Sequence, residues 1–377
     1  MRYFEWFSLS SIYQKVKRPA LAIALGLIAG VLLFWWGGAN PIQGYAVMFG
    51  STLGDVNGLV DTILVFIPLA LVSLGLVVCF KAGFWNIGGE GQFLMASVIV
   101  VILGNEQGIG GIYADWPLLI ILGLAGFAVA AGWCLVPALL KAKLGVNEVI
   151  TTMMFNFMAY GVINYLVSGP FRMWYYNGTP TGHPMTYPVL VKLPIISGQL
   201  NIGIFVVFVM MAIVYWLLYK SKLGYKLRAV GLNTKASSYF GIDAPKVTII
   251  SVIIGAGIIG LAGMIDMTGL QTKFVRGFSP NFGFEGILIA LISGANPFGA
   301  VAMSFFLAIL KVGGTRMYST LGVPVSVFLA DAVLSLMLLF MVLFVYIPSF
   351  KEVFTKFKEI VKTRLFRRQL NGSGADD

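Results

Sequence analysis

Seven glutamates occur in this 377-residue chain, and two of them stand in the same six-residue frame. Asn86-Ile-Gly-Gly-Glu-Gly91 and Asn281-Phe-Gly-Phe-Glu-Gly286 share an Asn before the Glu, a Gly between the two, and a Gly directly after. Each frame interrupts an apolar stretch. A carboxylate in such a place can hold a cation or a proton, accept a hydrogen bond from a polar molecule, or accept from backbone N–H groups that the break leaves unpaired. The glycines make the break, since each costs a helix up to about 1 kcal/mol relative to Ala. Broken backbone at membrane depth persists only when it is buried in protein or lines a wet cavity. Paired breaks in corresponding segments are the sequence mark of a transporter's midplane site.

The first frame contributes Phe84, Trp85, Asn86, Glu90 and Gln92 as candidates along a path, and the second contributes Asn281, Phe282 and Glu285. The aromatic rings offer flat faces of the kind that stack on a sugar or a nucleobase. Glu90 and Gln92 fall where the next helix should begin, at the positive end of its dipole. Ionisable groups inside spans are costly and are functional candidates by default, so Glu90, Glu285 and Asp331 all qualify. Two roles stay open for them: contact with cargo, and hydrogen bonding to the broken backbone. A further stretch, Gly145-Val-Asn-Glu-Val-Ile-Thr-Thr-Met-Met-Phe-Asn156, opens a span with Asn147, Thr151 and Asn156 on one helical face. Asn147 and Asn156 join the path candidates, while Asn164 reads as interhelical glue, an interaction of about 0.6 kcal/mol on average. The run Gly255, Gly257, Gly260, Gly263 reads as close helix packing.

The elements that must carry these residues follow from composition. The chain is 58% hydrophobic and 11% charged, with a mean hydropathy of +0.89; soluble domains carry about 25% charged residues. This is an all-α polytopic membrane protein. Spans of about 20 apolar residues are expected at Pro19–Trp36, Asp61–Phe80, Gln92–Leu103, Trp116–Pro137, Val146–Val167, Asn201–Tyr219, Val247–Met267, Gly286–Ile292, Pro297–Val312 and Pro324–Ile347. That gives about ten transmembrane helices, the third and eighth being broken or half-span. The first is expected to be a retained span, not a cleaved signal, because it is too long for a signal's apolar region. Basic residues before the first span, at Lys141 and Lys143, across Lys220 to Lys246, and in the tail from Lys351 to Arg368 all fall on one face, which is then cytoplasmic. Both termini lie inside. The net charge of +11 is explained by this bias, and a nucleic-acid partner is not expected.

On that topology the two frames have opposite orientation, as an inverted five-plus-five repeat requires. The permease domain is 1–347, with halves at roughly 19–167 and 201–347. A cytoplasmic loop occupies 220–246 and a basic tail 348–377, the tail suited to an anionic lipid surface. The outer loop Gly169 to Leu200, rich in Pro, Gly, Tyr and Trp, is expected to be an ordered outer cap or a docking surface. Cys79 and Cys134 lie in apolar segments and are expected as buried free thiols. With His183 the only histidine, a His-based metal site is not expected. Within the cytoplasmic loop, Asn233 is a good N-cap and Gly241 is well placed just past a helix end. They bracket a two-turn helix, Thr234 to Phe240, which is too short to be stable alone and needs a partner surface, the alternative being a helix that rests on the bilayer through its Lys residues.

Taken together, Phe84-Trp-Asn-Ile-Gly-Gly-Glu-Gly-Gln92, Gly145-Val-Asn-Glu-Val-Ile-Thr-Thr152, Arg228-Ala-Val-Gly-Leu-Asn233 and Gly283-Phe-Glu-Gly-Ile287 resemble the permease subunits of ABC importers for nucleosides and simple sugars. The Asn-Glu-Val-Ile-Thr-Thr element is most similar to the longer of the two nucleoside-importer permeases. The resemblance implies a second, related permease, a cytoplasmic ATP-binding subunit, and an extracytoplasmic substrate-binding lipoprotein, all at a bacterial cytoplasmic membrane. It also implies that Arg228, Asn233, Thr234, Lys235, Ala236, Tyr239, Phe240 and Gly241 form the segment that couples to the ATPase. No G-x-x-x-x-G-K-[ST] loop is present in the chain, so no cofactor is expected on it and ATP belongs to the partner. Two rival classes are an ion-coupled carrier working through Glu90 or Glu285, and a membrane-embedded enzyme, for which no nucleophile–base geometry can be proposed.

Overall fold

The computed structural model describes residues 26–32, 34–35, 40–105, 116–176, 179–186, 189–271, 273–278 and 280–321, with 332, 335, 336 and 339. Apolar helices dominate because a chain in lipid must satisfy its own backbone hydrogen bonds. Helical backbone at 26–32 is followed by α1 (Pro41–Leu53), α2 (Val56–Lys81), α3 (Gly89–Gly104), α4 (Trp116–Leu144) and α5 (Glu148–Ser168). After four short strands come α6 (Gly203–Lys220), α7 (Lys222–Leu232), α8 (Thr234–Tyr239), α9 (Ala244–Gly269), α10 (Phe282–Ile292) and α11 (Pro297–Leu321). Among the described residues, six helices are long and apolar enough to cross a membrane: α2, α4, α5, α6, α9 and α11. At 16 and 11 residues, α3 and α10 rise about 24 and 16 Å. They are the two short elements expected around the frames.

Eight of the ten expected spans coincide with these helices. The first falls only partly within the described residues, Pro324–Ile347 only at four positions, and Asp331 and the basic tail lie outside them. Three corrections are needed. The ninth span does not stop at Val312 but runs on to Leu321, since Gly313 and Gly314 are tolerated within an otherwise well-packed helix. The loop at 220–246 holds two helices, not one, and α1 was not expected at all. Its signal is local: Asn40 accepts from the N–H groups of Ile42 and Gln43, and Pro41 follows directly, the usual start of a helix.

The core is built around α2 and α9. α9 packs against α4, α2 and α3, while α2 packs against α11, α10 and α6. Close approach explains the glycine run on α9. A Cβ at Gly255 would lie 2.5 Å from the Gly75 carbonyl and the Cys79 sulfur, and one at Gly263 would lie 2.6 Å from the Phe93 carbonyl. Cys79 and Cys134 are buried free thiols, as expected. The loop at 169–202 forms two antiparallel hairpins, β1 (Met173–Tyr176) with β2 (Thr179–Met185) and β3 (Ile195–Ser197) with β4 (Leu200–Asn201). It closes over the ends of α3 and α9 through Leu190 N–H to the Gly104 carbonyl (2.9 Å) and Leu193 N–H to the Thr268 carbonyl (3.0 Å). The segment is thus ordered over its described residues.

Candidate functional site

The two frames meet. Glu90 sits in the first turn of α3, and its carboxylate reaches across to the start of another helix. Oε1 accepts from the N–H of Asn281 (3.1 Å) and Oε2 from the N–H of Gly283 (2.7 Å), at the start of α10. The first turn of any helix leaves N–H donors without intrahelical partners, and α10 has no side-chain cap of its own. A carboxylate from the first half of the chain therefore fills a need created in the second, aided by the dipole of α10. Of the two roles left open from the sequence, the bonds seen are those to broken backbone, made to the second frame and not to the helix that Glu90 begins.

The contact needs glycine at 283. A Cβ there would overlap the backbone of Glu90 and Gly89, so any larger residue drives the two frames apart. Asn281 enters α10 from the left-handed region, at φ 61°, a conformation that Asn tolerates better than most residues. Phe282 is buried, edge-on to Phe93 of α3 with ring centroids 5.6 Å apart.

The first break is internally tied. Asn86 and Gln92 exchange side-chain hydrogen bonds at 3.0 and 2.9 Å, and Asn86 also accepts from the N–H of Gly88. From α5, Asn156 accepts the Gly91 N–H (2.8 Å) and donates to the Ile87 carbonyl (3.0 Å), while Thr152 accepts the Ile87 N–H (3.1 Å). These bonds hold an unwound segment that would otherwise have unpaired amides at depth. Phe84 is fully packed among Cys79, Cys134, Val252 and Ala256. Of the three candidate stacking rings, only Trp85 is open, 47% exposed and 5.5 Å from the Phe80 ring. Asn147 is also exposed but lies apart from the frames: it caps α5 by accepting from Val149 N–H (2.9 Å). Asn164 accepts from Gly277 N–H (3.3 Å), a tethering role in keeping with its reading as glue.

Glu285, the counterpart of Glu90, pairs with Lys311 of α11 at 2.7 Å. The same ammonium donates to the Pro280 carbonyl (2.9 Å) and lies 4.8 Å from the Phe282 ring centroid, so one lysine grips the second frame from three sides. The repeat pattern does not single out Lys311. Nor does it single out Asp266, buried on α9 with neither carboxylate oxygen hydrogen-bonded among the described residues. The sequence signal for both is a charge within an apolar helix.

At the other pole of the fold, Asn233 caps α8 through Ala236 N–H (3.0 Å), and Gly241, at φ 74°, ends it. The bracketed helix is the expected one. Leu232, Tyr239 and Phe240 around it are 87%, 92% and 85% exposed. Arg228 lies on α7 against the Tyr219 ring, while Thr234 and Lys235 form the first turn of α8.

A family model described as branched-chain amino acid transport system, permease component, matches residues 58–345. The guanosine ABC transporter permease protein NupP of Bacillus subtilis (strain 168) is 33% identical over 328 residues, covering 85% of this chain and 91% of that protein. The nucleoside ABC transporter permease protein NupB of Lactococcus lactis subsp. cremoris (strain MG1363) is 29% identical, covering 82% and 86%. The glucose ABC transporter permease protein TsgB13 of Haloferax volcanii is 29% identical, covering 85% and 84%. No solved structure matches the chain. With two glycine-broken frames joined through Glu90, a shell of membrane-length helices, and a match over most of its length, the chain belongs to this family of multi-pass permease components.

Proposed function

We propose that this chain is the membrane-spanning permease subunit of an ATP-driven importer that moves a nucleoside or simple sugar across the bacterial cytoplasmic membrane. Named relatives in the family are permeases for guanosine, nucleosides and glucose, and paired sequences such as NupB with NupC favour a second, related permease beside this one. The observation that carries the proposal is α8. It is a capped helix of six residues that has no stability of its own and carries Tyr239 and Phe240 almost fully exposed. An ATP-binding subunit with a groove for those rings would bury them and take the motion of its own ATP cycle into α7, which leads to α6, and into α9. An extracytoplasmic binding lipoprotein would deliver cargo to the outer cap.

The ten-helix inverted repeat, with both termini cytoplasmic, belongs to the same proposal. Reciprocal packing supports it: α10 and α11 lie against α2, as α3 and α4 lie against α9. Each half thus packs its broken helix on the long helix of the other. In this scheme the frames form the hinge about which the halves rock. An ion-coupled carrier gains little from the geometry, because Glu90 is bonded to backbone N–H groups and Glu285 to Lys311. Replacing Ala236 by Asp tests the coupling surface. An unpaired carboxylate desolvated against the partner costs several kcal/mol, so uptake should collapse while the chain still inserts. Full uptake with an intact complex would show that α8 does not dock.

A further inference from the structure

An open cavity of about 290 Å³ lies between the N-terminal part of α2, the end of α9 and α11. Leu64, Val65 and Val312 form apolar walls, and Asp61, Lys311 and Thr315 supply polar corners. We propose that this cavity receives the hydroxyl-bearing sugar ring of the cargo, whether a free sugar or the ribose of a nucleoside; the assignment rests on the cargo class proposed above.

The size is suitable, at the small end of the roughly 300–1,000 Å³ of small-molecule sites. Each corner keeps hydrogen-bonding capacity of the right kind. Asp61 is bonded through Oδ2 to Arg316 at 2.6 Å, and its other oxygen can accept from a hydroxyl. Lys311 directs two donors to Pro280 and Glu285, and an ammonium has three. The Thr315 hydroxyl donates to the Lys311 carbonyl at 3.1 Å and still accepts. A sugar hydroxyl both donates and accepts, so one ring can satisfy an acceptor and a donor on opposite walls at once.

Charge narrows the class further. The lining itself sets Asp61 against Lys311 and Arg316, and Glu285 and Asp55 pair with those two cations from outside it. Both cations of the lining are thus already engaged by carboxylates, so an anionic phosphate would have to displace one, whereas a neutral polyol displaces none. The site is also wired to the hinge. Lys311 both lines the cavity and holds Glu285, Pro280 and Phe282 of the second frame. A hydroxyl that draws on the ammonium therefore competes with the contacts that fix α10.

The test uses the full transport complex in lipid nanodiscs, with Thr315→Cys or, on a different helix, Val65→Cys. The native thiols are buried, so an uncharged maleimide should report the introduced one. Ribose, glucose, uridine, guanosine and ribose 5-phosphate are added in turn, and uptake of each is measured on the parent complex in proteoliposomes. A transported neutral compound should slow modification at both positions about tenfold when present at roughly ten times its Kd, and ribose 5-phosphate should not. Protection by ribose alone places the free ring in the site; protection only by nucleosides places the ribose of a larger cargo there. A compound that is transported yet leaves both rates unchanged overturns the site. Absence of uptake for every neutral compound overturns the cargo class, and this assignment with it.

Discussion

Replacing Glu90 by Gln isolates what joins the two halves of the permease. In the structure both carboxylate oxygens accept from backbone N–H groups at the start of α10, at 3.1 and 2.7 Å. Hydrogen bonds to a charged group contribute about 1.5–3 kcal/mol each, and an N–H left unsatisfied costs about 1–3 kcal/mol. Gln keeps one acceptor oxygen and turns an NH2 group toward an N–H donor, so one bond is lost and one repulsive pair appears. The favourable meeting of a negative charge with the helix dipole, worth about 0.3–1 kcal/mol, is lost as well. Together these give a destabilisation of about 2–4 kcal/mol for Glu90→Gln and about 3–6 kcal/mol for Glu90→Ala, where both donors are orphaned. The unfolding free energy of the purified chain in an SDS titration measures this directly, with Glu90→Asp as a partial rescue limited by reach. Uptake should fall in the same order as stability. If Glu90→Ala unfolds within about 0.5 kcal/mol of the parent, the size of an ordinary surface substitution, yet abolishes uptake, the carboxylate is a cargo contact and the capping account is wrong.

The three candidate aromatic rings should separate. Phe84→Ala should cost about 3–5 kcal/mol of stability, as core Phe truncations do, whereas Trp85→Ala should leave stability nearly unchanged; equal stability losses in the SDS titration would contradict their different burial. Lys311→Met should destabilise by about 1–3 kcal/mol by removing the ammonium that Glu285 accepts from, and adding Glu285→Gln should recover part of it; a strictly additive double variant would mean that the pair does not interact. Asn233→Ala should weaken the α8 cap by about 1 kcal/mol and reduce copurification of an ATP-binding subunit while membrane insertion stays normal. For topology, Gln199→Cys should react with an impermeant thiol reagent in intact cells and Ser238→Cys only after permeabilisation; the reverse pattern would invert the proposed orientation.

Much of this protein is decided by its sequence. Apolar runs of spanning length fix α2, α4, α5, α6, α9 and α11, because lipid leaves the backbone no alternative to the helix. The short helices α3 and α10 follow from glycine-rich frames that a continuous helix cannot accommodate, and the capped α8 follows from Asn233 and Gly241, whose effects are confined to one turn. Such features are local, so they can be read one residue after another. Partnership across the fold is different. Glu90 and Gly283 are separated by nearly two hundred positions, and only the crossing of α3 and α10 brings the carboxylate to the N–H groups it serves. The same holds for Phe84, whose ring is buried because α2, α4 and α9 converge on it, and for Asn156, whose amide is occupied by the first break. Composition marks these side chains as able to bind something. Whether they bind cargo or their own chain is settled by which helices come within hydrogen-bonding distance, a property of the packed structure that no single segment carries.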